Sequence, residues 1–154
     1  MGLDMYLYAE RNVSGYSFQP EQEQEQYREV INAVHADFAS TESPSADITI
    51  TVGYWRKVNA IHSWFVRNVQ EGEDNCNKYW VSREQLAKLR DLCVEVVKNK
   101  DKAHELLPTA EGFFFGGTEY DNYYYESIKE TASRLTILLN TTPVSWEFYY
   151  QSSW

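Results

Sequence analysis

The stretch ITITVGYWRKVNAIHSWFV, residues 48–66, changes its hydrophobic period part-way along. Ile48, Ile50 and Val52 alternate with Thr49 and Thr51, the period-2 pattern of a strand with one apolar face. Gly53 is expected to end that strand. From about Trp55 to Val69 the spacing becomes helical: at 100° per residue Trp55, Val58, Ile61, Phe65 and Val69 form one stripe. His62 falls in the middle of that stripe and Asn59 at its margin, so two hydrogen-bonding side chains point at or near the core. A strand that runs into an amphipathic helix sets the terms for the rest of the chain.

Outward from this stretch the pattern continues to mix strands and helices. Leu3, Met5 and Leu7 alternate with Asp4, Tyr6 and Tyr8, a strand with one apolar and one polar-aromatic face. Pro20 is expected to open a helix bearing Tyr27, Val30, Ile31, Val34, His35 and Phe38, with the Glu-Gln run at 21–26 as its solvated first turns. Ser82 with Gln85 reads as a capping box for a helix carrying Leu86, Leu89, Cys93, Val96 and Val97. The Gly-bounded run from Gly112 to Gly116 reads as a short buried strand, and Asp121 as the cap of a helix with Tyr124, Tyr125, Ile128, Leu135, Leu138 and Leu139. A last strand is expected from Val144 to Gln151, with Trp146, Phe148 and Tyr150 on one face. Strands at both ends and helices between them predict an α+β fold, a small, mostly antiparallel sheet with about four helices packed on it. At 154 residues with no linker or repeat, residues 1–154 read as a single domain.

Charge narrows the function classes. The formal net charge of −9 opposes a phosphate backbone as the main partner, so direct nucleic-acid binding is not expected. Residues 1–47 carry nine acids and two bases, whereas only the middle of the chain is slightly basic. Cys76 and Cys93 make neither a metal spacing nor a disulfide framework, which suits a reducing cytoplasm. No apolar run is long enough to span a membrane, and Tyr6 stands where a myristoylation motif wants Ser or Thr. His35, His62 and His104 are far apart, with no HExxH or HxH spacing, so no metal is expected. GxSxG is absent too, and neither cysteine has an obvious paired histidine; no catalytic residue and no cofactor is assigned.

Two candidate sites remain. The first is a pocket around His62 and Asn59, with Tyr54 and Arg56 beside them and the Gly116-Gly117 turn closing it; its ligand would be a small nucleotide or signalling molecule, sequestered or hydrolysed. The bland counterpart is a histidine and an asparagine satisfied inside the core. The second is the sheet face opposite the apolar one, where Asp4, Tyr6, Tyr8, Glu147 and Tyr149 would lie together with Thr49 and Thr51. Tyrosines beside acids suit a protein interface, since Tyr supplies contact area at low entropy cost and tolerates partial wetting. A covering helix or a second copy of the chain, as a homo-oligomer, is the counterpart there.

The segments MGLDMYL (1–7), GYWRKVNAIHSWFV (53–66), LPTAEGFFFGGTEYDNYYY (107–125) and FYYQSSW (148–154) together resemble a family of small proteins encoded by bacteriophages and prophage-bearing bacteria. The resemblance misses chiefly the acidic segment from about residue 20 to 46, which looks variable or inserted. It carries no catalytic residue with it. What it implies is context: an accessory protein in the cytoplasm of the bacterial host, acting on a host or defence protein in the manner of anti-CRISPR inhibitors.

Overall fold

The computed structural model describes residues 2–154; Met1, the first residue of the MGLDMYL segment, lies outside them. The elements run β1 (Asp4–Ser14), α1 (Glu21–Ala33), β2 (Ser45–Arg56), α2 (Asn59–Asn68), β3 (Tyr79–Val81), α3 (Arg83–Lys98), a 3₁₀ turn (Lys100–Lys102), α4 (Ala103–Leu106), α5 (Asn122–Thr141) and β4 (Glu147–Ser153). Four strands form one antiparallel sheet in the order β2-β1-β4-β3, and with five helices among the described residues the architecture is α+β.

The chain forms two compact units, one made of the residues up to Ala9 together with Thr51–Trp154, the other of Glu10–Ile50. In the first, Leu3 just before β1, Met5 and Leu7 of β1 and Phe148 and Tyr150 of β4 are buried with Ile61 and Phe65 of α2, Leu86, Leu89, Cys93 and Val96 of α3, and Ile128 and Leu135 of α5. Burial pushes the Cys93 thiol well above its ordinary range, so this cysteine stays protonated as a small apolar side chain. Ser82 accepts from the Gln85 amide and the Gln85 side chain from the Ser82 amide, the reciprocal cap read from the sequence. Asp121 caps α5 by accepting from the Tyr124 amide at 3.0 Å.

In the second unit Glu23 is more than a solvated acid. It pairs with Arg11 at 3.2 Å and accepts from the Ser14 amide, while Arg11 also donates to Gln26 at 2.6 Å. These contacts hold the first turns of α1, the acidic segment near residue 20, in register. The helix stops at Ala33, short of the expected Phe38. His35 adopts a left-handed φ of 55°, and Phe38 is 90% exposed. Of the expected apolar set only Tyr27 is buried in this helix.

Four more boundaries differ from the sequence reading. β2 does not end at Gly53 but runs through to Arg56, and α2 begins at Asn59, so Trp55 belongs to the strand. The reason is packing: Val52 and Trp55 both pack on the core although they differ in strand parity, so the alternation slips by one residue between them. Gly53 fills the slip, since a Cβ there would stand 3.0 Å from Trp55 Cη2 and 3.1 Å from Leu7 Cβ. The Trp55 indole donates to Thr131 of α5 at 2.8 Å, which fixes the side to which the strand end turns. The run Gly112–Gly116 is not a buried strand but a loop, with Phe113 96% exposed, because among the described residues no strand pairs with it and, of its three phenylalanines, Phe115 packs against the core. β4 begins at Glu147 rather than Val144. The three-residue β3, too short to show a period, pairs antiparallel with β4: Tyr79 with Tyr150, Trp80 with Tyr149, Val81 with Phe148.

Gly53→Ala is expected to cost about 1–3 kcal/mol through overpacking against Trp55 and Leu7, read by urea unfolding. An unchanged midpoint would mean that the slip in β2 leaves more room than its neighbours show.

Candidate functional site

The sharp turn between β2 and α2 organises the first candidate site. Lys57 takes a left-handed φ of 55° and its amide donates to the Leu3 carbonyl at 2.7 Å. A non-glycine residue held in that region is strained and persists only where its surroundings fix it. Those surroundings are the 109–117 segment: a Cβ on Gly116, itself at φ 86°, would stand 3.0 Å from Lys57 Cβ and 3.3 Å from the Lys57 carbonyl oxygen. Only glycine permits that approach.

At the first position of the helix, buried Asn59 has every polar atom engaged. Its amide donates to the carbonyls of Phe115 (3.0 Å) and Gly117 (2.9 Å), and its carbonyl accepts from the Ala110 amide (2.9 Å). Asn59 therefore clamps both arms of the 110–117 loop, satisfying backbone groups that have no sheet partner.

His62 is fully buried and equally satisfied. The Tyr150 hydroxyl lies 2.7 Å from Nδ1 and Asp74 Oδ1 lies 3.0 Å from Nε2, while the Trp154 indole donates to the same Asp74 oxygen at 3.2 Å. Burial holds the Tyr150 phenol well above its ordinary range, so it remains a donor. One neutral tautomer fits: Nδ1 accepts from Tyr150 and Nε2–H donates to Asp74. Burial also lowers the histidine's own pKa, with the Asp74 carboxylate pulling the other way. Tyr150 stacks on Phe65 with centroids 3.9 Å apart, and Phe115 meets the imidazole edge-on at 5.0 Å. His62 ties α2, the loop after it, β4 and the chain's last residue into one buried network.

A cavity of about 320 Å³ opens beside this network. Arg56, Lys57, Val58, Asn59 and Ala60 form one wall; Thr109, Gly116, Gly117, Glu119 and Asp121 form another; Tyr123, Tyr124 and Ser127 of α5 close it. The Tyr123 hydroxyl donates to the Arg56 carbonyl, bracing the wall. Of the sequence candidates, Arg56, Asn59, Gly116 and Gly117 line this cavity, while Tyr54 and His62 do not.

Tyr54 instead joins the sheet-face candidates. Its hydroxyl donates to Asp4 at 2.5 Å, and that bond to a carboxylate raises the phenol's pKa. Arg56 pairs with the same carboxylate at 3.4 Å. Tyr6 packs against Tyr54 (5.4 Å) and stacks with Tyr8 (6.0 Å). On β4, Tyr149 bonds Glu147 at 3.4 Å and has the Lys78 ammonium 5.1 Å above its ring. Trp80, paired with Tyr149 across the ladder, is 54% exposed.

Sequence reasoning did not find Asp74 and Tyr150 as partners of His62, nor Trp154 as a donor to Asp74, nor Glu119 as a cavity residue, nor Trp80 on the face. The alternation of β4 puts Tyr150 on the core side and could have suggested it; Asp74 sits in a polar loop with no period to read. Among the described residues no cluster of His, Cys, Asp and Glu could hold a metal, and no helix is long and apolar enough to cross a membrane. Comparison with known protein families, with curated proteins and with solved structures finds no match to this chain.

His62→Ala is expected to destabilise the fold by roughly 2–5 kcal/mol, measured by chemical denaturation, since it leaves a void and strips the buried Tyr150 hydroxyl of its acceptor. In the native protein His62 stays neutral below the pH at which it would protonate unfolded, about 6.5, so the unfolded state binds the extra proton there. His62's contribution to stability is thus full above that pH and declines as pH falls below it. A stability profile whose decline below pH 6.5 is the same in His62→Gln would contradict this.

Proposed function

We propose that the chain is a non-catalytic, phage-type accessory protein that binds and inhibits a host or defence protein through its acidic, tyrosine-rich sheet face. The observation that carries the reading is a set of aromatic side chains, one or more from each of the four strands, on the sheet face opposite the core: Tyr54 of β2, Tyr6 and Tyr8 of β1, Tyr149 of β4 and Trp80 of β3. A protein that only had to fold would gain little from setting these rings where water reaches them; partly wetted Tyr and Trp are the side chains on which binding energy concentrates.

The charge distribution indicates the partner. Asp4 and Glu147 border the rings, and the whole chain carries −9. The complementary surface is basic, such as the nucleic-acid-binding groove of a bacterial enzyme, which an acidic protein occupies in place of nucleic acid. The buried, fully satisfied state of His62 and Asn59 removes the best acid-base candidate from contact with any substrate and supports a non-catalytic role.

The test is co-purification from a bacterial host with the native chain and with a Tyr6→Ala/Trp80→Ala variant. A stoichiometric host protein should accompany the native chain, release more readily at high salt because exposed charges are screened, and bind the variant at least ~30-fold more weakly. Equal retention by the variant, or affinity indifferent to salt, would contradict the proposal. A native chain that instead runs as a dimer, converted to monomer by the same variant, would assign the face to a second copy.

A further inference from the structure

The cavity between the β2–α2 turn and the 109–121 segment is a built concavity that the sheet-face reading does not use. Its volume, about 320 Å³, lies at the small end of ligand pockets. Its walls are fixed in advance: Asn59 clamps the loop by three hydrogen bonds, Gly116 packs on the Lys57 backbone, and Tyr123 bonds the Arg56 carbonyl. Ordering cost is therefore met in the free protein, which favours binding.

Four charged side chains line the cavity, and two are already committed. Arg56 pairs with Asp4, and Asp121 caps α5. Lys57 and Glu119 are not: both are exposed, and neither has an ion-pair partner within 4.0 Å among the described residues, not even each other. Opposite charges free to approach in one concavity would ordinarily pair, but here the Lys57 side chain lies along Gly116 and Gly2, where an added Cβ would stand 3.6 Å from its Cδ and 3.0 Å from its Cε. Two cations, Arg56 and Lys57, and two carboxylates, Glu119 and Asp121, line the cavity, so the formal lining charge sums to zero. A phosphate ester would meet two carboxylates, and a polyamine two cations.

We infer that this cavity binds a small zwitterion of the amino-acid class, its carboxylate held by Lys57 and its ammonium by Glu119, with its side chain toward Val58, Ala60 and Tyr124. The ligand brings both charges in one molecule, so each unpaired group gains a charge-assisted hydrogen bond and the cavity remains neutral.

Saturation-transfer NMR with the twenty standard amino acids tests this, with AMP as an anion-rich probe and putrescine as a cation-only probe, followed by calorimetry on any binder. At least one amino acid should bind at millimolar concentration or below. Lys57→Gln and Glu119→Gln should each weaken it about tenfold or more while unfolding at the native temperature, as both side chains are exposed and unpaired. Trp80→Ala, on the sheet face, should leave binding unchanged. The inference is overturned if no amino acid gives a signal, if only AMP or putrescine binds, or if both cavity variants bind as the native protein does.

Discussion

The backbone turn at Lys57, where β2 passes into α2, is the constraint on which the rest depends. A strand that ends at Arg56 and a helix that starts at Asn59 can be joined only by a sharp reversal, and a left-handed non-glycine residue makes it. That strain is balanced by the Lys57 amide bond to Leu3 and by Gly116 packed against it. Because the turn is fixed, Asn59 arrives where it can hold the 110–117 loop, and His62, one turn further on, meets Tyr150 and Asp74. The two polar residues that disturb the helix's apolar stripe are thus fasteners: each satisfies backbone or side-chain groups from segments distant in sequence.

This economy separates structure from surface. Hydrogen bonds inside the core are spent on binding the loop after α2, the 110–117 loop and β4 to one helix, and no titratable group of that network lines the cavity. What the sheet offers outward is a different chemistry, aromatic rings with acids beside them. The two faces of each strand carry separate tasks, as the period of two requires. The core face supplies Leu3, Met5, Leu7, Phe148 and Tyr150, and the outer face supplies Tyr6, Tyr8, Tyr149 and Trp80.

The fold class was legible wherever the hydrophobic period was long. The alternation at residues 3–8, the helical stripe at 58–65 and the two capped helices at Ser82 and Asp121 all stand where their patterns put them. Legibility failed where tertiary contacts override pattern. Gly53 reads as a strand end but is a packing device within the strand, because the rings it touches are distant in sequence. The three phenylalanines at 113–115 look like a buried strand, yet among the described residues no strand pairs with them, and Phe113 stands in solvent. Phe38 continues a helical spacing after the backbone at His35 has left the helix. The site was legible in part: Arg56, Asn59, Gly116 and Gly117 share one cavity, whereas His62 turned inward to partners such as Asp74 that no spacing announces.

Hydroxyl-radical footprinting of the chain, in buffer and after incubation in host lysate, addresses the central claim directly, because it reports which rings a partner covers. The account predicts that Tyr54, Trp80 and Tyr149 lose reactivity in the lysate while Phe38 and Phe113, exposed elsewhere, keep theirs. Protection confined to Phe113 and the loop around it, with the sheet-face rings as reactive as before, would contradict it.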